Sequence, residues 1–289
     1  MRFVGQRVAA VVAETEGAAE EACRLIEVDY EILPAVFDPE EAMLPGAPIL
    51  HNKEFVSRIQ KAKQNIFLQI DSEYGSVEKG FAEADVIVEG TYFSNKISHA
   101  HLETHIAIAS QTEDGRIHVR SSSQAPFQVK AKLAYLFAFP LEKVHVYTER
   151  VGGGFGGKQE MLCEELCVLG MLKTGRPVKW EFTREEEFIA GVSRHPMKTS
   201  IKAGAKKDGA LTAISQSLQV YRCPKLQGTG FAVYTNIPPS GAFRGYGSSQ
   251  TVFAVESAMG DLARKLGMDL MEFQRKNVVV PGDAVHSIW

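Results

Sequence analysis

The stretch "VGGGFGGK" at residues 151–158 lies between a predicted strand and a predicted helix, and it decides how the middle of the chain folds. Five of its eight residues are glycine. Glycine loses the most conformational freedom on folding, so five in one loop indicate a backbone that must approach another group closely. With a strand at 144–147 and a helix at 159–174, the helix N-terminus would offer unpaired N–H groups to an anion or an electron-rich oxygen.

Two known glycine motifs and a simple turn are alternative interpretations of this loop. Residues 152–158 have the spacing of a phosphate-binding P-loop, but Gln159 stands where that motif needs Ser or Thr for magnesium. The dinucleotide-binding fingerprint needs an acidic residue at the end of the second strand, and Glu181 keeps it as a weak alternative. A tight turn that binds nothing is the remaining interpretation.

The apolar patterns around the loop predict a mixed α/β chain of the α+β class. The helix at 159–174 is the strongest prediction, and its inward residues are Met161, Leu162, Leu166, Leu169 and Leu172. The other predicted helices lie at 16–27, 38–43, 127–139 and 247–266. The predicted strands lie at 3–12, 28–33, 65–70, 85–95, 104–111, 117–121 and 144–147. Residues 46–64 are polar, which is typical of a linker or a crossing loop.

The composition is that of an ordinary soluble protein. The 289 residues carry a formal net charge of −3 and are 45% hydrophobic. This nearly neutral balance does not indicate binding to nucleic acid or to a membrane surface. No apolar run reaches the roughly 18 residues of a membrane span, and the first residues lack a signal-peptide pattern, so we expect a cytoplasmic protein. Among the cysteines, Cys163 and Cys167 share a helix face, and we interpret them as buried thiols rather than metal ligands.

A second glycine segment, "GAFRGYG" at 241–247, precedes the predicted long helix. Arg244 offers a planar fork of donors, and Tyr246 offers a flat face to an aromatic substrate. The alternative is an arginine bonded to loop carbonyls and a tyrosine in the core. In "SSSQAP" at 121–126, Ser123 or Gln124 could cap the next helix, or Gln124 could point its amide at a ligand.

Three histidines lie close together in "HAHLETHIA" at 99–107. In a strand, alternate residues share a face, so His99, His101, Glu103 and His105 would point the same way. Adjacent strand ligands splay apart, and we therefore favour a structural role for these histidines over a metal site.

Taken together, these segments are specific where each alone is not. The chain resembles the molybdopterin-binding large subunit of the xanthine dehydrogenase and aldehyde oxidase family, the molybdenum hydroxylases, over nearly its whole length. The resemblance includes "VGGGFGGKQE", "GAFRGYGSSQ", "HLETHIAIA", "SSSQAP", "GRPVKWEFTREEEF" and "RKNVVVPGD". The last two are typical of the bacterial xanthine-dehydrogenase-like branch.

The resemblance implies a hydroxylase that takes its oxygen from water and passes electrons to iron–sulfur clusters and often to FAD. The implied cofactor is molybdopterin with molybdenum, which we expect as a dinucleotide. FAD and 2Fe-2S clusters would lie on partner chains or domains, and we expect an oligomer. The expected substrate is a small aromatic heterocycle.

Residue by residue, the resemblance implies four positions that bind the cofactor: Gln124, Phe155, Gly156 and Arg244. Of these, Gln124, Phe155 and Arg244 would lie near molybdenum without being direct ligands. Tyr246 stands where the purine enzymes carry a stacking Phe, and Gln159 stands where xanthine enzymes carry a substrate-binding Glu.

The chain also departs from the family pattern. Residues 1–60 resemble only the C-terminal part of a hammerhead-like α/β domain, and 61–289 resemble the first half of the molybdopterin-binding domain, shortened near 215–221. The Gly-x-Gly-Glu motif that carries the family's base glutamate does not occur, so we assign no catalytic residue. We therefore expect a fragment that is inactive alone and needs a C-terminal molybdopterin half as partner.

The leading hypothesis is the molybdopterin-binding portion of a purine or N-heterocycle hydroxylase. An aldehyde or carbon monoxide oxidising relative is the alternative within the family, since the amide of Gln159 cannot share protons with a purine ring as a carboxylate can. The alternative outside it is a non-catalytic structural module that binds a partner chain.

Overall fold

The computed structural model describes residues 1–52, 58–215 and 221–283. These residues form two compact units, and each unit is assembled from three separate segments of the chain. The first unit comprises residues 1–34, 96–195 and 236–244. The second unit comprises the described residues within 35–95, 196–235 and 245–283.

The secondary structure is mixed, as the sequence predicts. The helices are α1 (Glu16–Arg24), α2 (Pro39–Met43), α3 (Val77–Glu83), α4 (Pro126–Leu136), α5 (Glu164–Thr174), α6 (Arg184–Ala190), α7 (Ser248–Leu266) and α8 (Leu270–Asn277). The strands are β1 (Ile66–Tyr74), β2 (Val86–Ser94), β3 (Ile106–Gln111), β4 (Ile117–Ser121), β5 (Val144–Tyr147), β6 (Val178–Glu181), β7 (Met197–Ala205), β8 (Leu211–Ser215) and β9 (Leu226–Val233).

A four-stranded sheet organises the first unit, with strand order β5-β4-β3-β6. β4 pairs in parallel with β5, and β3 pairs antiparallel with both β4 and β6. Along β4, buried Ile117, Val119 and Ser121 alternate with less buried residues, which is the period of a sheet with one covered face. α4 and α5 contact this sheet and contribute Leu133 and Val168 to its core.

The second unit has its own five-stranded sheet, with strand order β1-β9-β8-β7-β2. α7 packs on β7 and β2, and it buries Ala258, Met259 and Leu262 there. All neighbouring strands are antiparallel except β8 and β9, which pair in parallel. Each unit therefore has a hydrophobic core of its own.

Two predicted strands are wrong. Residues 3–12 and 28–33 adopt no regular structure, although the helix predicted between them forms as α1. A strand is stable only when another strand takes up its backbone hydrogen bonds, and no described residue does so here. Side-chain contacts hold the first segment instead: Arg7 pairs with Glu165, and Val12 packs against α5.

The long helix after the glycine loop begins later than predicted. α5 starts at Glu164, so residues 159–163 are not helical, and the loop amides are not the helix N-terminus. The predicted inward face is also partly wrong, because Leu169 and Leu172 are exposed. Cys163 and Cys167 are buried, as predicted, together with Val168 and Met171.

The sequence patterns missed the strands of residues 197–233, where β7, β8 and β9 form. The proposed shortening near 215–221 falls largely on residues outside the described part of the chain. Within the described ranges, no helix combines the length and apolarity that a membrane crossing requires.

Candidate functional site

Gln124 points its side chain into the glycine loop. Its Oε1 accepts hydrogen bonds from the backbone N–H groups of Gly156 at 3.0 Å and Lys158 at 3.2 Å. The backbone N–H of Gln124 donates to the Lys158 carbonyl at 2.8 Å. No side chain caps α4, so Gln124 serves the loop rather than the helix that follows it.

The loop glycines are needed because the protein's own groups crowd the loop. A Cβ atom on Gly154 would lie 2.5 Å from Gln124 Oε1. A Cβ atom on Gly156 would lie 2.8 Å from the Ala242 carbonyl oxygen, and the φ of Gly156 is +99°, in the left-handed region. The loop therefore needs glycine because other groups of the same chain, Gln124 Oε1 and the Ala242 carbonyl, lie too close for a side chain.

The segment that ends at Arg244 is bound to the same loop. The Arg244 N–H donates to the Phe155 carbonyl at 2.9 Å. Arg194 donates to the Arg244 carbonyl at 2.9 Å, and its guanidinium lies 3.9 Å from the ring centroid of Phe243. The guanidinium of Arg244 itself is exposed and has no ion pair within the described ranges. The first unit thus brings together Gln124, Phe155, Gly156 and Arg244.

The two aromatic candidates both adopt strained backbone conformations. The φ angles of Phe155 and Tyr246 are +53° and +46°, a region that bulky residues rarely adopt. The two residues are also 53% and 68% exposed. Tyr246 belongs to the second unit, just before α7, whereas Gln159 is half-buried in the first unit, where its N–H donates to the Gly156 carbonyl.

Lys158 does not have the position of a phosphate-binding lysine. Its side chain is fully buried and pairs with the carboxylate of Glu103. A P-loop lysine must reach the phosphates of a nucleotide, which this side chain cannot do while it is buried. The P-loop alternative is therefore wrong for a geometric reason besides the missing hydroxyl after the lysine.

The histidines do not lie in a strand, because β3 begins only at Ile106. His99 stacks on Phe243, whereas His101 and His105 converge on Glu187 with ligand atoms within 4.8 Å of one another. Both nitrogens of His101 and of His105 already have oxygen partners in the protein. These contacts support the structural role that we favour over a metal site.

Glu187 is charged despite being buried. Burial alone would raise its pKa, but hydrogen bonds from His101 and His105 more than offset that effect, and the pKa lies well below its ordinary value. The pKa of Glu103 is also lowered: burial raises it, and the hydrogen bonds from Lys158 and the Gly152 N–H outweigh burial. Both carboxylates are therefore ionised at neutral pH.

Sequence reasoning missed Arg194 and Glu187 as parts of this site, and it considered Lys158 only as a P-loop lysine. Glu187 lies inside the quoted "GRPVKWEFTREEEF" segment, so the sequence marked the segment without giving the residue a role. No local pattern marks Arg194, since its partners come from a different part of the chain.

Two family profiles match the chain. The sequence profile of the molybdopterin cofactor-binding domain matches residues 59–218 and 212–278. The profile of the aldehyde oxidase and xanthine dehydrogenase a/b hammerhead domain matches residues 1–34.

Individual relatives agree with the profiles. The chain is 38% identical to the probable hypoxanthine oxidase XdhD of Escherichia coli (strain K12), over 98% of this chain and 35% of that protein. It is 30% identical to the nicotinate dehydrogenase large molybdopterin subunit of Eubacterium barkeri, over 96% of this chain and 68% of the subunit. Among solved structures, the aldehyde oxidoreductase of Desulfovibrio gigas superposes with a TM-score of 0.87 at 29% identity, covering 94% of this chain and 32% of that one. The chain therefore spans about a third of the length of the first of these relatives.

Proposed function

Since the chain belongs to the xanthine dehydrogenase and aldehyde oxidase family of molybdenum hydroxylases, we propose that it supplies part of the molybdopterin site of an enzyme that oxidises purines or related N-heterocycles. The observation that carries this proposal is the assembly of Gln124, Phe155, Gly156 and Arg244 in one unit.

The residues present fit such a group. Two loop amides occupy Gln124 Oε1, so its Nε2 is the atom left to donate to a ligand oxygen. The exposed guanidinium of Arg244 offers a fork of donors and a positive charge to a phosphate. The exposed ring of Phe155 can shield one side of the bound group from water.

When bound, the molybdenum cofactor supplies the redox chemistry that hydroxylates the substrate with oxygen from water. This chain's part is to hold and orient it: Gln124 by its amide, Arg244 by its charge and Phe155 by its ring. We propose the dinucleotide form of the cofactor, with FAD and 2Fe-2S clusters on partner chains or domains of an oligomer.

None of the residues that the structure describes at this site is a free general base, and the isolated chain is therefore proposed to be inactive. A base must reach the proton that it removes. The carboxylates of Glu103 and Glu187 are both engaged in hydrogen bonds within the protein, so neither is free for that step. We propose that a C-terminal molybdopterin half supplies the base, and that residues 1–60 and 61–289 correspond to the hammerhead-like and molybdopterin-binding domains.

The relatives' names support a flat N-heterocycle as substrate, since one is a hypoxanthine oxidase and another a nicotinate dehydrogenase. Tyr246 offers an exposed ring on which such a substrate could stack. The second candidate is aldehyde or carbon monoxide oxidation, which the structural likeness to an aldehyde oxidoreductase and the amide at Gln159 favour. A non-catalytic module that binds a partner chain is the alternative outside the enzyme class.

A substrate screen of the assembled enzyme tests the proposal. The chain would be co-expressed with a C-terminal half in a host that makes the cofactor, and kcat/KM measured for hypoxanthine, nicotinate and an aromatic aldehyde. We expect the heterocycles to be oxidised with the higher kcat/KM, and Tyr246→Ala to lower it by about fivefold through lost stacking, worth roughly 1 kcal/mol. Oxidation of the aldehyde alone would support the second candidate.

A further inference from the structure

We propose that a brace of four residues, the buried His101, His105 and Glu187 and the half-buried Glu103, ties the two ends of the glycine loop together, and that Glu187 is thereby a positioning residue for the bound cofactor. The second part of this inference rests on the proposed function; the first rests on the contacts of the first unit alone.

One end of the brace is Glu103, which holds the start of the loop. Its carboxylate accepts from the Gly152 N–H at 2.9 Å, and its own N–H donates to the Gly152 carbonyl at 3.1 Å. The same carboxylate oxygen pairs with the buried Lys158 ammonium at the end of the loop. A single side chain thus contacts both ends of residues 152–158.

The other end of the brace is His105, which holds the loop at Gly157. Its Nε2 donates to the Gly157 carbonyl at 3.1 Å, and its Nδ1 lies 2.9 Å from both carboxylate oxygens of Glu187. Glu187 also accepts from the His105 backbone N–H at 3.0 Å. The Glu187 carboxylate therefore fixes both the ring and the backbone of the residue that holds the loop.

His101 joins the two ends. Its Nε2 lies 3.3 Å from Glu187 Oε1, and its Nδ1 donates to the Glu103 carbonyl. The hydrogen-bonded path is continuous from Gly152 through Glu103, His101, Glu187 and His105 to Gly157. Glu187 is its central link, because it alone accepts from both rings.

The segment that carries Glu187 is itself anchored by hydrogen bonds. α6 begins with a capping box, in which Thr183 and Glu186 satisfy each other's backbone N–H groups. Arg184 donates to the carbonyls of His101 at 2.8 Å and Leu102 at 2.6 Å. The backbone that carries the two histidines is therefore held to the helix that carries the carboxylate.

The loop that the brace holds also positions the candidate ligand contacts. The Gly156 and Lys158 amides orient the Gln124 side chain, and the Phe155 carbonyl accepts from Arg244. A loop released at Gly157 would let these groups shift without any loss of the hydrophobic core. This is the effect expected of a positioning residue rather than of a core residue.

Hydrogen–deuterium exchange of the full chain tests the brace. The variant is Glu187→Gln, and its matched control is Glu185→Gln, an exposed carboxylate in the first turn of the same helix. Removing one acceptor of a buried hydrogen-bonded pair should speed exchange of the Gly156, Gly157 and Lys158 amides by about tenfold or more. The amides of β3 and β4 in the first unit and of β7 in the second should keep their wild-type rates, as should every amide of Glu185→Gln.

Two outcomes would overturn the brace. One is wild-type exchange in the loop of folded Glu187→Gln. The other is faster exchange throughout β3 and β4, which would make Glu187 a general support of the fold. If Glu187→Gln does not fold, Glu103→Gln replaces it and should loosen the same loop amides, and unchanged exchange there would equally overturn the brace.

Molybdenum content separates this inference from the proposed function. In wild-type protein co-purified with a C-terminal half, molybdenum should be present, and Glu187→Gln should retain several-fold less of it than Glu185→Gln. No molybdenum in the wild type would contradict the proposed function while the exchange result still decides the brace. Equal molybdenum in both variants would overturn the positioning role of Glu187.

Discussion

Phe155 and Gly156 place two left-handed residues side by side at the centre of the glycine loop. A bulky residue in this region costs about 1–3 kcal/mol, so the surrounding contacts must hold it there. Arg244 supplies one such contact through the Phe155 carbonyl, and Gln124 supplies another through the Gly156 N–H. Backbone strain at an exposed aromatic residue supports a role in binding.

Gly156→Ala tests whether the crowding and the positive φ at this position require glycine. The added Cβ would lie 2.8 Å from the Ala242 carbonyl oxygen and would disfavour the required φ of +99°. We expect a loss of about 1–3 kcal/mol in the free energy of unfolding. The control is Gly260→Ala in α7, where nothing lies within 4 Å, and where alanine should stabilise the helix by about 0.5–1 kcal/mol. Equal effects of the two substitutions, measured by urea denaturation, would contradict the crowding described here.

Glu187 gives a prediction about acid stability. Its pKa is lower in the folded chain than its ordinary value of 4.5, so its contribution is fully present above that pH and is lost as the pH falls further toward the folded-state pKa. Glu187→Gln should therefore lose less stability than the wild type between neutral pH and pH values below 4.5. Parallel curves for the wild type and the variant, with Glu185→Gln as control, would rule out this contribution.

Single residues were only partly predictable from the sequence. The sequence could not decide whether Gln124 caps the next helix or contacts a ligand. The choice depends on where the fold places the glycine loop, which local sequence does not determine. Lys158 has the spacing of a P-loop lysine, and only the fold places Glu103 beside it. The brace links residues 101–105, 152–158 and 187, which no local pattern connects.

Among the elements, α5 illustrates how a helix can be predicted while its start is missed. The apolar run extends back to Met161, but Glu164 is buried at the N-terminus, where it accepts from the N–H groups of Leu162 and Cys163 and from the Ser121 hydroxyl. This carboxylate satisfies donors ahead of the first turn, so the helix begins there. The local pattern does not contain Ser121, which comes from β4.

The cysteines provide a test of which residues the two hydrophobic cores bury. Cys23 on α1 is exposed, whereas Cys163, Cys167 and Cys223 are buried. Burial raises the pKa of Cys167 to about 12 and that of Cys223 to about 11, and it raises the pKa of Cys163 well above its ordinary value. Since thiolates are the reactive form, a maleimide should label Cys23 quickly and the other three only after unfolding. Rapid labelling of Cys167 in the native chain would contradict the packing of α5 on β3.

The sequence predicted a strand that does not form and missed one that does, for the same physical reason. Residues 3–12 are apolar enough for a strand but find no partner among the described residues. β7 pairs with β2 and β8 over many residues, yet its sequence "MKTSIKAGA" alternates too weakly to be noticed. Strand pairing is a tertiary property, so local propensity decides it less firmly than it decides helices.

The whole molecule consists of two units that each draw on distant parts of the sequence. The mixed α/β class was predictable from patterns of a few residues, and the family was predictable from the glycine segments. The assembly of each unit from three segments was not, since it depends on contacts such as that between Phe155 and Arg244. We propose that the first unit forms part of a molybdopterin site.

The most direct test of this claim is the molybdenum content per chain, measured by elemental analysis of protein from a host that makes the cofactor, with and without a co-expressed C-terminal half. We predict close to one molybdenum per chain with that half, and a several-fold lower content for Arg244→Ala but not for Arg275→Ala, an exposed arginine on α8. Absence of molybdenum from the wild type in both preparations would contradict the account.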